Sequence, residues 1–155
     1  MTYVSPFTAH ERCFVCGAAN AGGLKLAFER SDDRVRCRAR IEERFQSYEG
    51  VVHGGILAAI ADAAMVHLVR REGESRPLTC RLEIRYREPV FVGEDLAAEA
   101  WVTQTKLGIA RAACTLSVGE RVCVEAAASF RLADTPAVRS GRKSIRHRGR
   151  EALRS

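Results

Sequence analysis

Residues able to do chemistry concentrate in one segment, 45–65, with the sequence FQSYEGVVHGGILAAIADAAM. Gly54 and Gly55 stand at the predicted start of a helix, where the first N–H groups have no carbonyl partner and the helix dipole is positive. Such a site attracts an oxygen carrying negative charge, and the missing side chains let a substrate carbonyl come close. The pair predicts either an oxyanion-binding helix start or a plain loop-to-helix turn.

Asp62 lies in the middle of the same predicted helix, and its neighbours are almost all apolar. A buried carboxylate costs several kcal/mol unless it is paired or used in chemistry. We therefore predict a catalytic carboxylate at Asp62, and the alternative is a structural acid with a partner.

Gly54 and Asp62 are too far apart to act on one bond within a single chain. They are separated by eight residues, which at a rise of 1.5 Å per residue is about 12 Å along the helix axis. If both act on one carbonyl, the carboxylate must come from a second chain whose helix runs antiparallel across a twofold axis. In that case catalysis requires a homodimer.

Hydrophobic periodicity predicts the elements that position these residues. Alternation over 24–41 indicates a hairpin, with strands at 24–29 and 35–41 and a turn at 31–33. One long buried helix runs from Gly54 to about Arg71, and Gly73 marks its end. Four further strands are predicted around 82–86, 96–105, 109–118 and 122–132. This order predicts an α+β domain in which an antiparallel sheet wraps around one central helix.

Length and composition fit one globular domain. The 155 residues are 46% hydrophobic and 28% charged, which excludes a disordered chain, a coiled coil and a collagen-like fibre. The apolar stretch 51–69 contains Asp62 and favours a buried helix, so we predict no membrane span. No charged leader precedes an apolar run at the N-terminus, so we expect a cytoplasmic protein.

Excess positive charge lies at the C-terminal end. Residues 134–155 carry seven Lys or Arg against two acids, whereas the rest of the chain carries 18 against 17. We therefore divide the chain into a domain at 1–133 and a basic, flexible tail at 134–155. A tail that contacts nucleic acid is the alternative to the solvated terminus that we expect.

The six cysteines form no motif that is complete in the sequence. Cys13 and Cys16 make C-F-V-C, which is half of a zinc site, and His10 lies at the same three-residue spacing. A fourth ligand would have to come from elsewhere, so we predict a packed turn without metal; a redox pair is a further alternative. His67, on the apolar helix, is interpreted as a core or interface histidine.

Four segments together make the chain similar to the PaaI-type hotdog-fold acyl-CoA thioesterases. They are C-F-V-C-G-A-A-N at 13–20, H-G-G at 53–55, the acid at Asp62, and L-E-I-R-Y-R-E-P-V at 82–90. The resemblance extends from residue 13 to about 132. It implies a single hotdog domain, pairing of two domains into a dimer, and active sites at the subunit interface.

The resemblance also implies catalytic roles. In that family the backbone N–H at the helix start polarises the thioester carbonyl, and an acid on the facing helix attacks it or activates water. Carried over by position, these roles fall on Gly54, together with Gly55, and on Asp62.

Four other residues are the expected substrate-binding side chains. His53 precedes the helix and either orients the loop or contacts the substrate. Gln46 and Ser47 stand where relatives often place Asn or Gly before H-G-G. Thr79 is the hydroxyl closest to the start of the next strand.

The predicted activity is hydrolysis of an acyl-CoA thioester to free acid and CoA, without a cofactor. Asp62 acts as a general base towards water or as a nucleophile, and the sequence leaves both open. Arginines on polar strand faces are candidates for the CoA phosphates: Arg81, Arg85, Arg87 and Arg111. The alternatives are a hotdog protein that binds acyl-CoA without hydrolysis, and a nucleic-acid-associated protein using the tail. The dimers can pair again into tetramers.

Overall fold

One helix lies against a single sheet of six strands in the computed structural model, which describes residues 10–70 and 75–134. Every pair of neighbouring strands is antiparallel. The predicted α+β fold, an antiparallel sheet around one long helix, is confirmed. In chain order the elements are β1 (Glu29–Ser31), β2 (Arg34–Arg40), a short 3-10 helix (Glu43–Phe45), α1 (Gly54–Val69), β3 (Ser75–Tyr86), β4 (Asp95–Lys106), β5 (Ile109–Val118) and β6 (Arg121–Asp134).

The position of α1 is fixed by close packing of small and apolar residues. Its buried side chains face the sheet, and six of the buried sheet residues are alanines. Small residues on both surfaces let the helix approach closely, and burial of the larger side chains stabilises the pair. The helix residues are Leu57, Ile60, Ala61, Ala64, Met65, Leu68 and Val69, and the sheet alanines are Ala98, Ala100, Ala110, Ala112, Ala126 and Ala128.

Strand β3 lies at one end of the sheet, whose order is β1-β2-β4-β5-β6-β3. Within the described part of the chain β3 pairs only with β6, so its other edge carries unpaired backbone groups. Thr79 pairs with Phe130 and Arg81 with Ser129, which makes Cys80 the extra residue of a β-bulge. Because a one-residue shift moves side chains to the opposite face, the bulge turns Thr79 towards the helix.

Two predicted boundaries differ from the structure. The first hairpin strand is only Glu29–Ser31 rather than 24–29, because Lys25 has a left-handed backbone (φ 53°) that interrupts the extended run. The helix ends at Val69 rather than near residue 71, since Arg70 is already extended and caps it with a hydrogen bond to Val66. The predicted end marker at residue 73 lies outside the described residues.

The C-terminal tail stays a prediction, because residues 135–155 also lie outside the described part of the chain. Among the helices that are described, none is long and apolar enough to cross a membrane.

Candidate active site

His53 builds the start of α1. It is the N-cap residue, with an extended backbone, and its Nδ1 accepts a hydrogen bond of 2.9 Å from the N–H of Gly55. Its carbonyl accepts from the N–H groups of Ile56 and Leu57, at 2.9 and 3.3 Å. His53 thus orients the helix start, and the N–H of Gly55 is already used within its own chain.

Gly54 presents the free donor of the helix start. Its N–H has no acceptor among the described residues, whereas its carbonyl accepts a 2.8 Å hydrogen bond from the Tyr86 hydroxyl. A Cβ added at residue 54 would lie 3.3 Å from the Tyr86 ring, so the glycine lets the ring sit against the helix start. The geometry therefore offers one fixed N–H at the positive end of the helix dipole.

Tyr86 is the residue that sequence reasoning missed. The alternating pattern placed it on the apolar side of a strand, and its ring does lie on the helix side of β3, at the strand's last position. Its hydroxyl gives no signal in the sequence, because the partner is a backbone carbonyl 32 residues away.

Gln46 and Ser47 hold the turn that leads into the helix. The Gln46 Oε1 accepts from the N–H of Gly50 at 2.8 Å, and Gly50 has the left-handed backbone (φ 78°) that such a turn requires. Ser47 bonds to the carbonyl of Val51 through its N–H at 2.8 Å and its hydroxyl at 3.5 Å. Within the described residues neither side chain hydrogen bonds to Asp62.

Asp62 is half-buried in the middle of α1, on the side of the helix that faces β3. The hydroxyl of Thr79 donates to its Oδ1 at 2.8 Å, and the described residues supply no other hydrogen bond and no cation. Burial raises the pKa of the Asp62 carboxyl, and the hydrogen bond from Thr79 offsets part of this rise. A carboxylate with a raised pKa is a stronger proton acceptor than an ordinary aspartate, which suits it to general-base chemistry.

The edge strand β3 thus contacts both candidate groups. Thr79 reaches Asp62, and Tyr86 reaches Gly54, although the two lie about 12 Å apart along the helix. Two apolar side chains of this strand are exposed, Leu78 at 59% and Tyr86 at 52%. Both groups consequently border the open edge of the sheet.

A second polar cluster lies near the other end of α1 and consists of His10, Cys16 and His67. Burial and the nearby charges of His10 and Arg70 lower the pKa of His67 to about 4. The pKa of His10 is also lowered, mainly by burial, and burial with the Cys13 hydrogen bond raises the pKa of Cys16 to about 12. The cluster contains three possible ligand atoms for a transition metal, two imidazole nitrogens and one sulfur.

One long helix packed against a single antiparallel sheet of six strands is the architecture of a hotdog domain. Residues 49–106 match the family model described as the thioesterase superfamily, and this segment holds Gly54, Asp62 and Thr79. This match confirms, for that segment, the predicted resemblance to the thioesterase superfamily.

Solved structures show the same fold. A thioesterase superfamily protein aligns at 24% identity with a TM-score of 0.69, covering 77% of this chain and 60% of that chain, so this chain spans less than two thirds of its length. A putative thioesterase of Ralstonia eutropha JMP134, described as phenylacetic acid degradation-related, aligns at 20% identity with a TM-score of 0.64. The alignment covers 81% of this chain and 91% of that chain. A hypothetical thioesterase of Streptococcus pneumoniae TIGR4, solved with coenzyme A, aligns at 17% identity with a TM-score of 0.65. The alignment covers 70% of this chain and 89% of that chain. No curated protein matches the sequence.

Proposed function

We propose that this protein hydrolyses an acyl-CoA thioester to a free acid and CoA, as a homodimer with active sites shared between two chains. The observation that carries the proposal is Asp62, a half-buried carboxylate that receives one hydrogen bond from the described residues, that of Thr79, beside a sheet edge that those residues leave unpaired. Burying a carboxylate without a nearby counter-charge costs stability, which favours a role in chemistry over a structural one.

Dimerisation through β3 brings the two halves of the site together in this proposal. A 12-residue edge strand with exposed apolar side chains is a template for pairing with another strand. Antiparallel pairing of two β3 strands about a twofold axis sets the two α1 helices side by side in opposite directions. Asp62 of one chain then faces the Gly54 end of the other helix.

The reaction in this site is attack of water on the thioester carbonyl. The carbonyl oxygen accepts a hydrogen bond from the Gly54 N–H, and one such donor is worth about 2.7–4 kcal/mol in the barrier. Asp62 from the partner chain takes a proton from water as the C–O bond forms; the C–S bond then breaks and CoA leaves as the thiolate. Direct attack by Asp62 would instead give an anhydride that water hydrolyses.

Arg85 and Arg111, on the outer face of the sheet, are the proposed contacts for the CoA phosphates. Arg81 is paired with Glu83, and Arg87 with Glu125. Arg85 and Arg111 have no ion pair within the described residues, so their guanidinium groups are available for an anion. Coenzyme A bound to the Streptococcus pneumoniae protein supports a CoA substrate.

Two observations support the finer assignment to PaaI-type enzymes of the cytoplasm. The similar Ralstonia eutropha protein is described as phenylacetic acid degradation-related. All six cysteines are free thiols, as is usual in a reducing compartment.

The shared site is tested by mixing two inactive chains. Gly54→Pro removes the N–H at the first helical position, where proline is tolerated, and His53 before it already has the extended backbone that proline requires. Asp62→Asn removes the carboxylate. A mixed dimer combines the intact Gly54 of one chain with the intact Asp62 of the other, so random mixing restores about a quarter of wild-type acyl-CoA hydrolysis.

Two controls complete the mixing experiment. Each variant alone is assayed at the same total concentration, and size-exclusion chromatography with light scattering confirms that both are dimers. A mixture that stays as inactive as its components, although mixed dimers have formed, would show that the two groups do not share a site. Tight binding of acyl-CoA without CoA release by the wild-type protein would favour a binding protein instead.

A further inference from the structure

Three potential metal ligands converge where the N-terminal segment meets the last turn of α1. The Nδ1 of His10 and the Nε2 of His67 each lie 3.5 Å from the Sγ of Cys16. All three ligand atoms lie within 4.8 Å of one another. The two imidazole rings meet edge-on, with centroids 5.7 Å apart.

A fourth donor stands beside them. Cys13 precedes Cys16 by three residues, the spacing of a C-x-x-C ligand pair, and its Sγ accepts the N–H of Val15 at 3.4 Å. An amide that donates to sulfur stabilises a thiolate there, as outer contacts commonly do around metal ligands.

The two distances from the Cys16 Sγ to the imidazole nitrogens match those of a tetrahedral zinc site. With Zn–S of about 2.3 Å and Zn–N of about 2.05 Å, tetrahedral geometry puts neighbouring sulfur and nitrogen ligands about 3.6 Å apart. The two observed sulfur–nitrogen distances are both 3.5 Å.

We propose that His10, Cys13, Cys16 and His67 bind one structural zinc ion. Binding releases one proton from each thiol, while both imidazoles bind in the neutral form. Two thiolates balance the two positive charges of the ion, so the half-buried site carries no net charge.

The surrounding residues hold these ligands in place. The N–H of Gly17 donates to the Cys13 carbonyl at 2.9 Å, and a Cβ at residue 17 would lie 2.4 Å from the Cys13 nitrogen, so only glycine fits after the second cysteine. On the other side the ring of Phe28 stacks on His67 at 4.6 Å. The turn and the ring thus fix the directions of ligands that come from two distant parts of the chain.

This proposal revises the prediction of a metal-free turn. His67, 51 residues after Cys16 in the chain, is the ligand that the local motif lacks. The ion would fasten the N-terminal segment to α1 on the side of the helix away from Asp62, so its presence can be measured independently of thioester hydrolysis.

The test is the metal content of the full chain, produced with zinc supplementation and compared with two cysteine variants. We expect about one zinc per chain in the wild type and less than about 0.1 in Cys16→Ser. Cys80→Ser is the matched control, because Cys80 is exposed and outside the cluster, and it should retain the full zinc content. Cobalt in place of zinc should give the intense visible bands of a tetrahedral thiolate site, and these should be absent from Cys16→Ser.

Chelation of the wild-type protein keeps the test valid if Cys16→Ser does not fold. Removing zinc should lower the Tm, and one equivalent of zinc should restore it. The proposal is overturned by a zinc-free wild-type protein whose Tm does not respond to added zinc, by unchanged zinc in a folded Cys16→Ser protein, or by a Cys13–Cys16 disulfide in protein purified under reducing conditions.

Discussion

Helix α1 carries two half-buried polar side chains, Asp62 and His67, whose surroundings are opposite in kind. They are five residues apart and therefore point about 140° apart around the helix. Burial favours the neutral form of each, since it raises the pKa of Asp62 and lowers that of His67 to about 4. His67 lies among Cys16, His10 and Phe28, whereas Asp62 has one hydroxyl partner and an open sheet edge.

The difference shows for which of the two side chains a single chain supplies the contacts. Around His67 the ring stacking and the thiol contact come from the same chain, so folding of one domain is enough to form these contacts. Around Asp62 the described residues leave one edge of β3 unpaired and supply few partners for the carboxylate, and in the proposed dimer a second chain completes its surroundings. We therefore expect substitutions at Asp62 to affect turnover first, and substitutions at His67 to affect stability first.

The largest expected effect is on turnover in Asp62→Asn. In the proposed mechanism this carboxylate takes the proton from water, so its loss should lower kcat for acyl-CoA hydrolysis about 10²–10⁴-fold. Release of the CoA thiol across a panel of short, long and aromatic acyl-CoAs measures it. His67→Gln is the control within the same helix and should keep kcat within about threefold at a temperature at which it is folded. Equal losses in both variants would remove the distinction between the two regions.

The next largest expected effect is the loss of kcat when the Gly54 N–H is removed. Two variants distinguish this loss from the steric effect of an added Cβ. Gly54→Pro and Gly54→Ala both add a Cβ 3.3 Å from the Tyr86 ring, but only proline removes the N–H. We expect kcat of Gly54→Pro to be about 10²–10³-fold below that of Gly54→Ala, because one oxyanion donor is lost. Similar rates for the two variants, measured by single-turnover CoA release, would mean that this N–H does not bind the reacting oxygen.

The sequence predicted the fold, and the places of Gly54 and Asp62 on the helix, better than the contacts around them, for physical reasons. The hydrophobic periodicity over 54–69 and over the later strands predicts these elements because the apolar residues are the ones that the fold buries. An acid within an apolar helix can likewise be recognised from the sequence. The bulge at Cys80 leaves no such pattern, yet it turns Thr79 towards Asp62. The approach of His67 to Cys16 was also hidden, since it depends on how the N-terminal segment crosses the helix end.

A smaller effect, on pH dependence, is expected from Thr79→Val. The Thr79 hydroxyl donates to the charged form of Asp62 and lowers its pKa, so losing it should raise that pKa further. The acid limb of the kcat/KM profile should then move to higher pH, with little change on the alkaline plateau. Thr79→Ser keeps the donor and should keep the wild-type profile. An unmoved limb in the valine variant would show that Asp62 is not the group that titrates.

The smallest expected effect is on stability, and it has a definite sign. Because folding raises the pKa of Asp62 above its ordinary value of 3.8, the charged carboxylate costs stability at neutral pH, and the cost disappears on acidification. Asp62→Asn, which keeps an oxygen for Thr79, should therefore have a higher Tm than wild type at pH 8, with the difference shrinking towards pH 4.

Asp95→Asn is the control of opposite sign for this stability difference. The hydrogen bond from Arg40 lowers the pKa of Asp95, so removal of that charge should not raise the Tm at pH 8. The side chain is 74% exposed, which keeps any loss small. A lower Tm for Asp62→Asn at pH 8, measured on dimers of matched concentration, would mean that the partner chain stabilises the charged carboxylate. Asp62 would then be a structural interface acid, and its surroundings in the dimer would be as complete as those of His67 within one chain.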